Sequence, residues 1–383
     1  EHITKILLNM STQLDSKWDS KYVFVDINQE CIELGVVLAS LKLLCSMFIQ
    51  LPDLATYSNT ALLNVILEIY STTTCLPLSA PHSLGSRKTN LITNIHKQTY
   101  NIFSRWKGAR KNSMLPRIME FSYSCPKYFY STLVLLDNIL PPVLPVPFKT
   151  NDMQNSSLAE IANKEILKRK FWLDQCDFIK RGKLGEFVDT LALTNSQIIF
   201  ERLSSVFCKI VDLGGTPAAK LFKALVKLLS DQMDESIKED DKMSDTTNIS
   251  EEALSRIIFL VWRISLQPSG KILFSICDGA INPFITVLTS NYGDVVNGLC
   301  FKIIQNICDY RIHLASNRPL MHQEGLSIIE ALPAASTFDA IINGLKTVLD
   351  NSTNAQKCVG ALYILSVTCQ TLYGAQQILS NWV

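Results

Sequence analysis

Apolar residues recur along this chain at the spacing of one helix face, and this pattern restricts the fold more than any other feature. A buried stripe with i, i+3, i+4, i+7 spacing is formed by Leu254, Ile257, Ile258, Val261 and Ile264. The segment from Val296 to Tyr310 has the same spacing, and the alternation typical of strands is scarce. The sequence therefore predicts an all-α fold.

The junctions between the predicted helices are short and contain helix-ending residues. After Leu213, a glycine can take the left-handed conformation that ends one helix, Thr216 can cap the next, and Pro217 suits a first helical position. Helices of roughly 12 to 20 residues with such short links predict hairpins stacked in series, at about 40 residues each. We expect an α-solenoid of about eight to ten HEAT/armadillo-like hairpins, with a large helical bundle as the alternative.

Two irregular stretches interrupt the helical pattern. The first is rich in proline, which fixes φ and removes a hydrogen-bond donor, so we expect an extended linker over 141–156. This linker would separate an N-terminal solenoid half, 1–140, from a C-terminal armadillo-like half, 157–383. The second stretch, 231–252, is dominated by Asp and Glu and is predicted to be a mobile acidic loop.

Composition excludes several classes of protein. Hydrophobic residues make up 47% of the 383 positions, which is too many for a disordered chain. A net charge of +1 argues against a surface that binds nucleic acid over its whole area. We expect no membrane span, because the most apolar run, Leu34–Ile49, is interrupted by Lys42. The eleven cysteines stand singly, which predicts reduced core residues in a cytosolic or nuclear protein.

The sequence contains no recognisable catalytic or cofactor motif. It lacks a phosphate-binding loop, a nucleophile elbow and a dinucleotide-binding fingerprint. The one metal-like grouping, Cys300, Cys308 and His313, is spaced more widely than the ligands of structural zinc sites. We therefore expect a protein that is not an enzyme and that uses no catalytic residue, cofactor or metal.

A basic stretch is the one candidate binding site that charge distribution reveals. No acidic residue occurs between Glu68 and Glu120, whereas eight cations do: Arg87, Lys88, Lys97, Arg105, Lys107, Arg110, Lys111 and Arg117. Such a stretch can contact RNA phosphates or an acidic partner. The interleaved Tyr100, Phe103 and Trp106 can stack on bases. Their three-residue spacing also suits a stripe facing the core, and the pattern leaves both interpretations open.

Three elements of the chain resemble the Virilizer family. The run LLDNILPPVLPVP from Leu135 to Pro147 is similar to the family's helix ending in "DILP" followed by alternating Leu and Pro, and the residues from Arg169 to Trp172 stand where the family has "RKLW". The junction from Cys208 to Ala218 is similar to the family's "LCDLASPTA". The resemblance covers about Met114 to the end, and it departs from the pattern at Pro142-Val143, at Phe171 and at Gly214-Gly215.

The resemblance implies a non-catalytic nuclear scaffold of the machinery that writes N(6)-methyladenosine into messenger RNA. The family's partners are a WTAP-type coiled-coil subunit, a Hakai-type ubiquitin ligase and a zinc-finger subunit, and through them the methyltransferase heterodimer. Its roles include mRNA methylation, alternative splicing and, in insects, sex determination. The alternatives are a generic HEAT/armadillo adaptor and an RNA-binding solenoid that uses the stretch 87–117.

Overall fold

The computed structural model describes residues 2–19, 27–51, 60–75, 83–106, 114–143, 167, 169–176, 181–238, 251–290, 292–308, 335–370 and 372–382. All regular secondary structure within these ranges is helical, which confirms the predicted all-α class. The chain divides into two compact units. Unit 1 comprises Glu1–Pro141 and Asp174–Lys180, and unit 2 comprises Pro142–Leu173 and Arg181–Val383. The predicted division at 1–140, 141–156 and 157–383 stays a prediction, and most of its linker lies outside the described residues.

Unit 1 contains six α-helices among its described residues. Its helices are α1 (His2–Asp19), α2 (Ile27–Gln50), α3 (Thr60–Cys75), α4 (Ser83–Phe103), α5 (Met114–Ser124) and, after a 3-10 turn at Pro126–Tyr128, α6 (Phe129–Ile139). Helix α3 packs between α1 and α6, while α2 packs along α4. The core between them contains fully buried aliphatic side chains such as Ile66, Ile95 and Leu133.

Helix α6 ends where the sequence predicts. Leu140 has an extended backbone (ψ 140°), because the ring of the following Pro141 disfavours the helical conformation of the residue before it.

Unit 2 contains the remaining helices and packs them in order along the chain. They are α7 (Arg181–Leu193), α8 (Gln197–Leu213), α9 (Gly215–Lys238), α10 (Glu251–Ser265), α11 (Pro268–Ile276), α12 (Asn282–Thr289), α13 (Asp294–Cys308), α14 (Ala335–Asn351), α15 (Ala355–Cys369) and α16 (Leu372–Trp382). Helices α10, α13 and α15 pack side by side, and so do α9, α12 and α14. Within each row, helices that are not consecutive in the sequence are therefore in contact.

Two local details differ from the sequence prediction. Gly214 ends α8 with φ 80°, as predicted, but α9 already begins at Gly215, so Thr216 and Pro217 lie in its first turn. The predicted acidic loop 231–252 is wrong at both ends: α9 continues to Lys238, and α10 begins at Glu251. The spacing of Leu225, Leu229 and Met233 explains the longer helix, because it extends the apolar stripe into the acidic stretch. Residues 239–250 lie outside the described residues.

Helix α2 differs from the expectation that no segment of the chain is apolar enough to span a membrane. Its part Gln29–Gln50 is long and apolar enough to cross a membrane, and 44% of its most apolar window is buried inside the fold. Two pairs of consecutive helices are also long and apolar enough if each pair counts as one bent span: Glu252–Ser265 with Pro268–Ile276, and Ala355–Cys369 with Gly374–Ser380. The described part of the chain then contains up to three candidate spans. A single charged residue such as Lys42 lowers the mean hydropathy of so long a helix only slightly, so α2 remains apolar enough to span a membrane.

Candidate interaction surface

The structure assigns different environments to the cations of the predicted basic stretch. Arg87 and Lys97 are exposed on α4. Lys88, next to Arg87, instead points into unit 1, where its Nζ lies 2.9 Å from a carboxylate oxygen of the buried Glu30 of α2. On α4, only Arg87 and Lys97 are therefore available to an external partner.

Of the other five cations, the structure describes Arg105 and Arg117, and both are partly buried. The Nη1 of Arg105 donates to the carbonyl of Asn101 at 2.9 Å near the end of α4, where a cation also interacts favourably with the helix dipole. Arg117 pairs with Glu120 one turn along α5, with 3.0 Å between Nη1 and Oε2. Lys107, Arg110 and Lys111 lie outside the described residues.

The aromatic residues of this stretch face the core, so the core-stripe interpretation is confirmed. Phe103 and Trp106 are buried, and Trp106 meets Phe48 of α2 edge to face at 5.6 Å between ring centroids. The hydroxyl of Tyr100 lies 3.0 Å from that of Tyr70 on α3. The rings of Phe103 and Trp106 are therefore not available to stack on bases, and the half-buried Tyr100 contacts α3.

A histidine on the inner side of α4 completes a polar cluster with α3. The Nε2 atom of His96 lies 3.1 Å from Thr73 Oγ1 and 3.4 Å from Thr74 Oγ1, and the imidazole packs against Tyr70 at 4.5 Å between centroids. Burial lowers the pKa of His96 to about 4, since the charged form would lose its hydration. Burial also raises the pKa of Tyr70, so both groups are neutral near pH 7.

Unit 1 should lose stability as the pH falls from about 6.5 toward 4. In the unfolded chain the histidine has its ordinary pKa of 6.5 and binds a proton below that pH. In the folded protein His96 stays neutral until the pH falls to about 4, so protonation favours the unfolded state between these two values. Between pH 7 and 5 this difference lowers the free energy of unfolding by about 2 kcal/mol. Urea denaturation of His96→Gln should show a smaller change over this pH interval than wild type. The exposed-site control His2→Gln should match wild type, and equal pH responses of all three proteins would contradict the assignment.

Helix α2 presents an apolar stripe on the side that unit 1 leaves exposed. Five of the exposed positions of α2 follow an alternating spacing of four and three residues, namely Ile32, Val36, Ala39, Leu43 and Ser46, and the exposed Lys42 lies next to Leu43. This is the a/d spacing of a heptad, the pattern by which one helix packs along another in a coiled coil. This surface could not be predicted from the sequence, because α2 is apolar on nearly all sides and its pattern does not indicate which side is covered.

In unit 2 the structure brings together the segments that carry the family resemblance. The Nη2 of Arg169 donates to the backbone carbonyl of Asp212 at 2.6 Å and to its carboxylate at 2.7 Å. Both side chains are almost completely buried, at 2% and 3% exposure. The Nη1 of Arg169 also reaches the carbonyl of Pro142 at 3.5 Å. One guanidinium thus links all three resemblance elements, because Arg169 belongs to the Arg169–Trp172 element and contacts the other two, the proline run at Pro142 and the Cys208–Ala218 junction at Asp212.

Residues adjoining this ion pair make further contacts with the Cys208–Ala218 junction. Trp172 is buried, and Leu173 lies so close to Gly215 that a Cβ there would come within 2.9 Å of its methyl carbon. The Oγ of Ser269 at the start of α11 donates to the carbonyl of Asp212 at 3.5 Å. The motifs that resemble the family therefore have a structural role, because their contacts hold separate segments of the chain together at the end of α8.

The described residues contain no grouping of three or more His, Cys, Asp or Glu suited to a metal ion. Of the weak grouping noted in the sequence, Cys300 and Cys308 are buried in α13, and His313 lies outside the described residues. Burial raises the pKa of Cys300 and raises that of Cys208 to about 11, which keeps both thiols protonated and poorly nucleophilic.

Comparison with known proteins yields a distant similarity to one kind of protein. The chain is 23% identical to the protein virilizer homolog of Mus musculus and 22% identical to that of Homo sapiens, in each case over 265 residues. These alignments cover 64% of the chain, and the matched region spans only 14% of the length of each relative. No protein-family model matches the chain. The similarity supports a distant Virilizer-like relation.

Proposed function

We propose that this chain is part of a Virilizer-like scaffold that acts without catalysis in the nuclear complex writing N(6)-methyladenosine into messenger RNA. The observation that carries the proposal is the contact of Arg169 with Asp212 and Pro142, because it unites three segments that resemble the family. The distant similarity to two virilizer homologs supports the same assignment.

The architecture we propose for this scaffold is an α-solenoid of HEAT/armadillo-like repeats. Its support is the packing order in unit 2, where α10, α13 and α15 form one row and α9, α12 and α14 another. A row in which each helix contacts one that lies two or three helices later in the chain is what a stack of repeats requires. Stacked repeats offer long surfaces to several partners at once, which suits a scaffold.

The first partner in this proposal is the WTAP-type coiled-coil subunit, and its contact is the α2 stripe. The exposed Ile32, Val36 and Leu43 have the heptad spacing that accepts the knobs of a facing helix. The Hakai-type ubiquitin ligase and the zinc-finger subunit would bind elsewhere on the scaffold, which would support mRNA methylation and alternative splicing through the methyltransferase heterodimer.

Glutamate substitutions in the α2 stripe should weaken binding of the coiled-coil subunit. Val36→Glu and Leu43→Glu put charges where apolar surface would be buried, so we expect at least about a tenfold loss of affinity for each. Isothermal titration of the purified WTAP-type subunit into the full chain measures this. Ile198→Glu, an equally exposed apolar-to-acidic change on α8, is the matched control. Unchanged affinity in both α2 variants would contradict the contact, and absence of wild-type binding would contradict the scaffold proposal.

A direct RNA contact is the second candidate, and Arg87 and Lys97 are the cations through which it can be tested within the described part of α4. The exposed positions of the described part of α4 include these two cations and no carboxylate. The double variant Arg87→Glu/Lys97→Glu, added to the same experiment with a single-stranded RNA, separates the two functions. Salt-sensitive RNA binding that this variant removes would favour the RNA-binding solenoid. Binding of neither RNA nor the coiled-coil subunit would leave a generic HEAT/armadillo adaptor.

A further inference from the structure

The exposed side of α2 carries charge of one sign. Its one exposed charged residue is Lys42, which lies beside the α2 stripe. The two carboxylates of the helix are buried: Glu30 pairs with Lys88 of α4 at 2.9 Å, and Glu33 is 8% exposed. Among the described residues, no carboxylate lies within salt-bridge distance of Lys42. Lys42 is therefore available to pair with a carboxylate of a partner.

The helices that pack against α2 also expose cations and no carboxylate among their described side chains. Helix α2 contacts α1 and α4. On these three helices, the exposed residues among the described Asp, Glu, Lys and Arg are Lys5, Lys42, Arg87 and Lys97. The exposed carboxylates described in unit 1, Glu120 and Asp174, lie on other elements. Glu68 of α3 is partly buried and accepts a hydrogen bond from Ser11 Oγ at 3.0 Å. The described surroundings of the α2 stripe are therefore positively charged.

Lys42 occupies a heptad position that contacts the flank of a facing helix. In the spacing of the α2 stripe, Val36 and Leu43 are one heptad apart at a positions, so Lys42 falls at the g position beside the seam. Residues at e and g positions form the interhelical salt bridges that determine partner choice in coiled coils. Gly35 lies one heptad before Lys42, and nothing lies within 4 Å of a Cβ added there. This flank of α2 is therefore open to a facing helix, and its charge is positive.

We propose that the α2 stripe selects a helix of another protein whose apolar seam is flanked by glutamate or aspartate, and that Lys42 determines this preference. The inference rests on the proposed function, because it specifies the chemistry of the partner that binds the α2 stripe. Apolar side chains of the partner would pack between Val36 and Leu43, and a flanking carboxylate would pair with Lys42. The exposed cations of α1 and α4 would strengthen the attraction, because electrostatic interactions extend over about 10 Å at moderate ionic strength.

A second copy of the chain and a membrane surface fit these observations less well. Two copies that meet along α2 would bring their positively charged surroundings together, and like charges at an interface oppose binding. A helix that lies on a membrane presents bulky residues such as Trp, Phe and Leu over a broad face. The α2 stripe instead includes Ala39 and Ser46, and none of the described exposed residues of α2 is aromatic. A facing helix needs only a narrow seam and is the better fit.

Fluorescence anisotropy with designed helical peptides tests the proposal on the full chain. The probe is a labelled peptide of four EIAALEQ heptads, whose seam is apolar and whose flanks are acidic. Its matched controls are four KIAALKQ heptads, which reverse the flanking charge, and four ESAASEQ heptads, which remove the apolar seam. We expect micromolar binding of the probe and at least about tenfold weaker binding of both controls. Equal binding of the acidic and basic peptides, or no binding of the probe, would overturn the proposal.

Charge reversal at Lys42 identifies the residue responsible for the preference. Lys42→Glu should lower the preference for the acidic over the basic peptide at least about fivefold, whereas Lys227→Glu, at an exposed lysine of α9, should leave it unchanged. Melting temperatures within a few degrees of wild type would show that both variants fold. An unchanged preference in Lys42→Glu would overturn the role assigned to this residue.

Three further outcomes separate this inference from the proposed function and from a membrane contact. Binding of the probe without binding of the WTAP-type subunit would support the acidic preference and contradict the proposed partner. Subunit binding that Val36→Glu and Leu43→Glu weaken, without discrimination between the peptides, would retain the proposed function and overturn this inference. Binding of phosphatidylcholine vesicles with about one fifth phosphatidylserine, lost in Lys42→Glu and without probe binding, would assign the surface to membranes and overturn it as well.

Discussion

Replacing Arg169 with methionine should lower the free energy of unfolding of unit 2 by about 3–5 kcal/mol, because it leaves the buried Asp212 carboxylate without its cation. The same substitution removes the donors to the carbonyls of Asp212 and Pro142. Urea denaturation followed by circular dichroism measures the loss. Hydrogen exchange in α8 and α9 should increase most, since Asp212 lies at their junction.

A neighbouring substitution and a double variant identify the cause of this loss. Lys170→Met changes an adjacent, exposed cation in the same way and should alter stability by less than about 0.5 kcal/mol. Arg169→Met/Asp212→Leu removes both charges and should recover part of the loss, as expected when an uncompensated buried charge is the main penalty. If Arg169→Met and Lys170→Met destabilise equally, the ion pair does not hold this junction together.

Substituting alanine for Gly270 should destabilise unit 2 by about 2–4 kcal/mol through steric overlap. An ideal Cβ on Gly270 would overlap the carbonyl oxygen of Ile264 and lie 2.7 Å from its carbonyl carbon. These are backbone atoms at the end of α10, so no side-chain rotation can relieve the clash, and α11 must move away from α10. Denaturation midpoints in urea report the loss.

Gly185→Ala on α7 is the matched control, because nothing lies within 4 Å of the added Cβ. Alanine at position 185 should leave the free energy of unfolding unchanged or raise it by up to about 1 kcal/mol, because alanine has a higher helix propensity than glycine. Similar destabilisation in the two variants would mean that the approach of α11 to α10 is not what requires glycine at position 270.

The basic stretch shows why a sequence pattern predicts burial better than binding. The three-residue spacing of Tyr100, Phe103 and Trp106 already suggested a core stripe, because spacing along a helix determines which residues share a face. The same pattern could not separate Arg87 from Lys88. The partner of Lys88 is Glu30, on another helix, and only the packing of α2 on α4 brings the two together.

Helix content, the proline-induced end of α6 and the glycine-induced end of α8 could be predicted from the sequence alone, because apolar spacing and backbone restrictions act over a few residues. The tertiary structure alone decided which cations are paired, that Arg169 reaches Asp212, and which side of α2 remains exposed. Those properties depend on contacts between segments far apart in the chain. A helix that is apolar on most sides contains no local signal for which side its neighbours will cover.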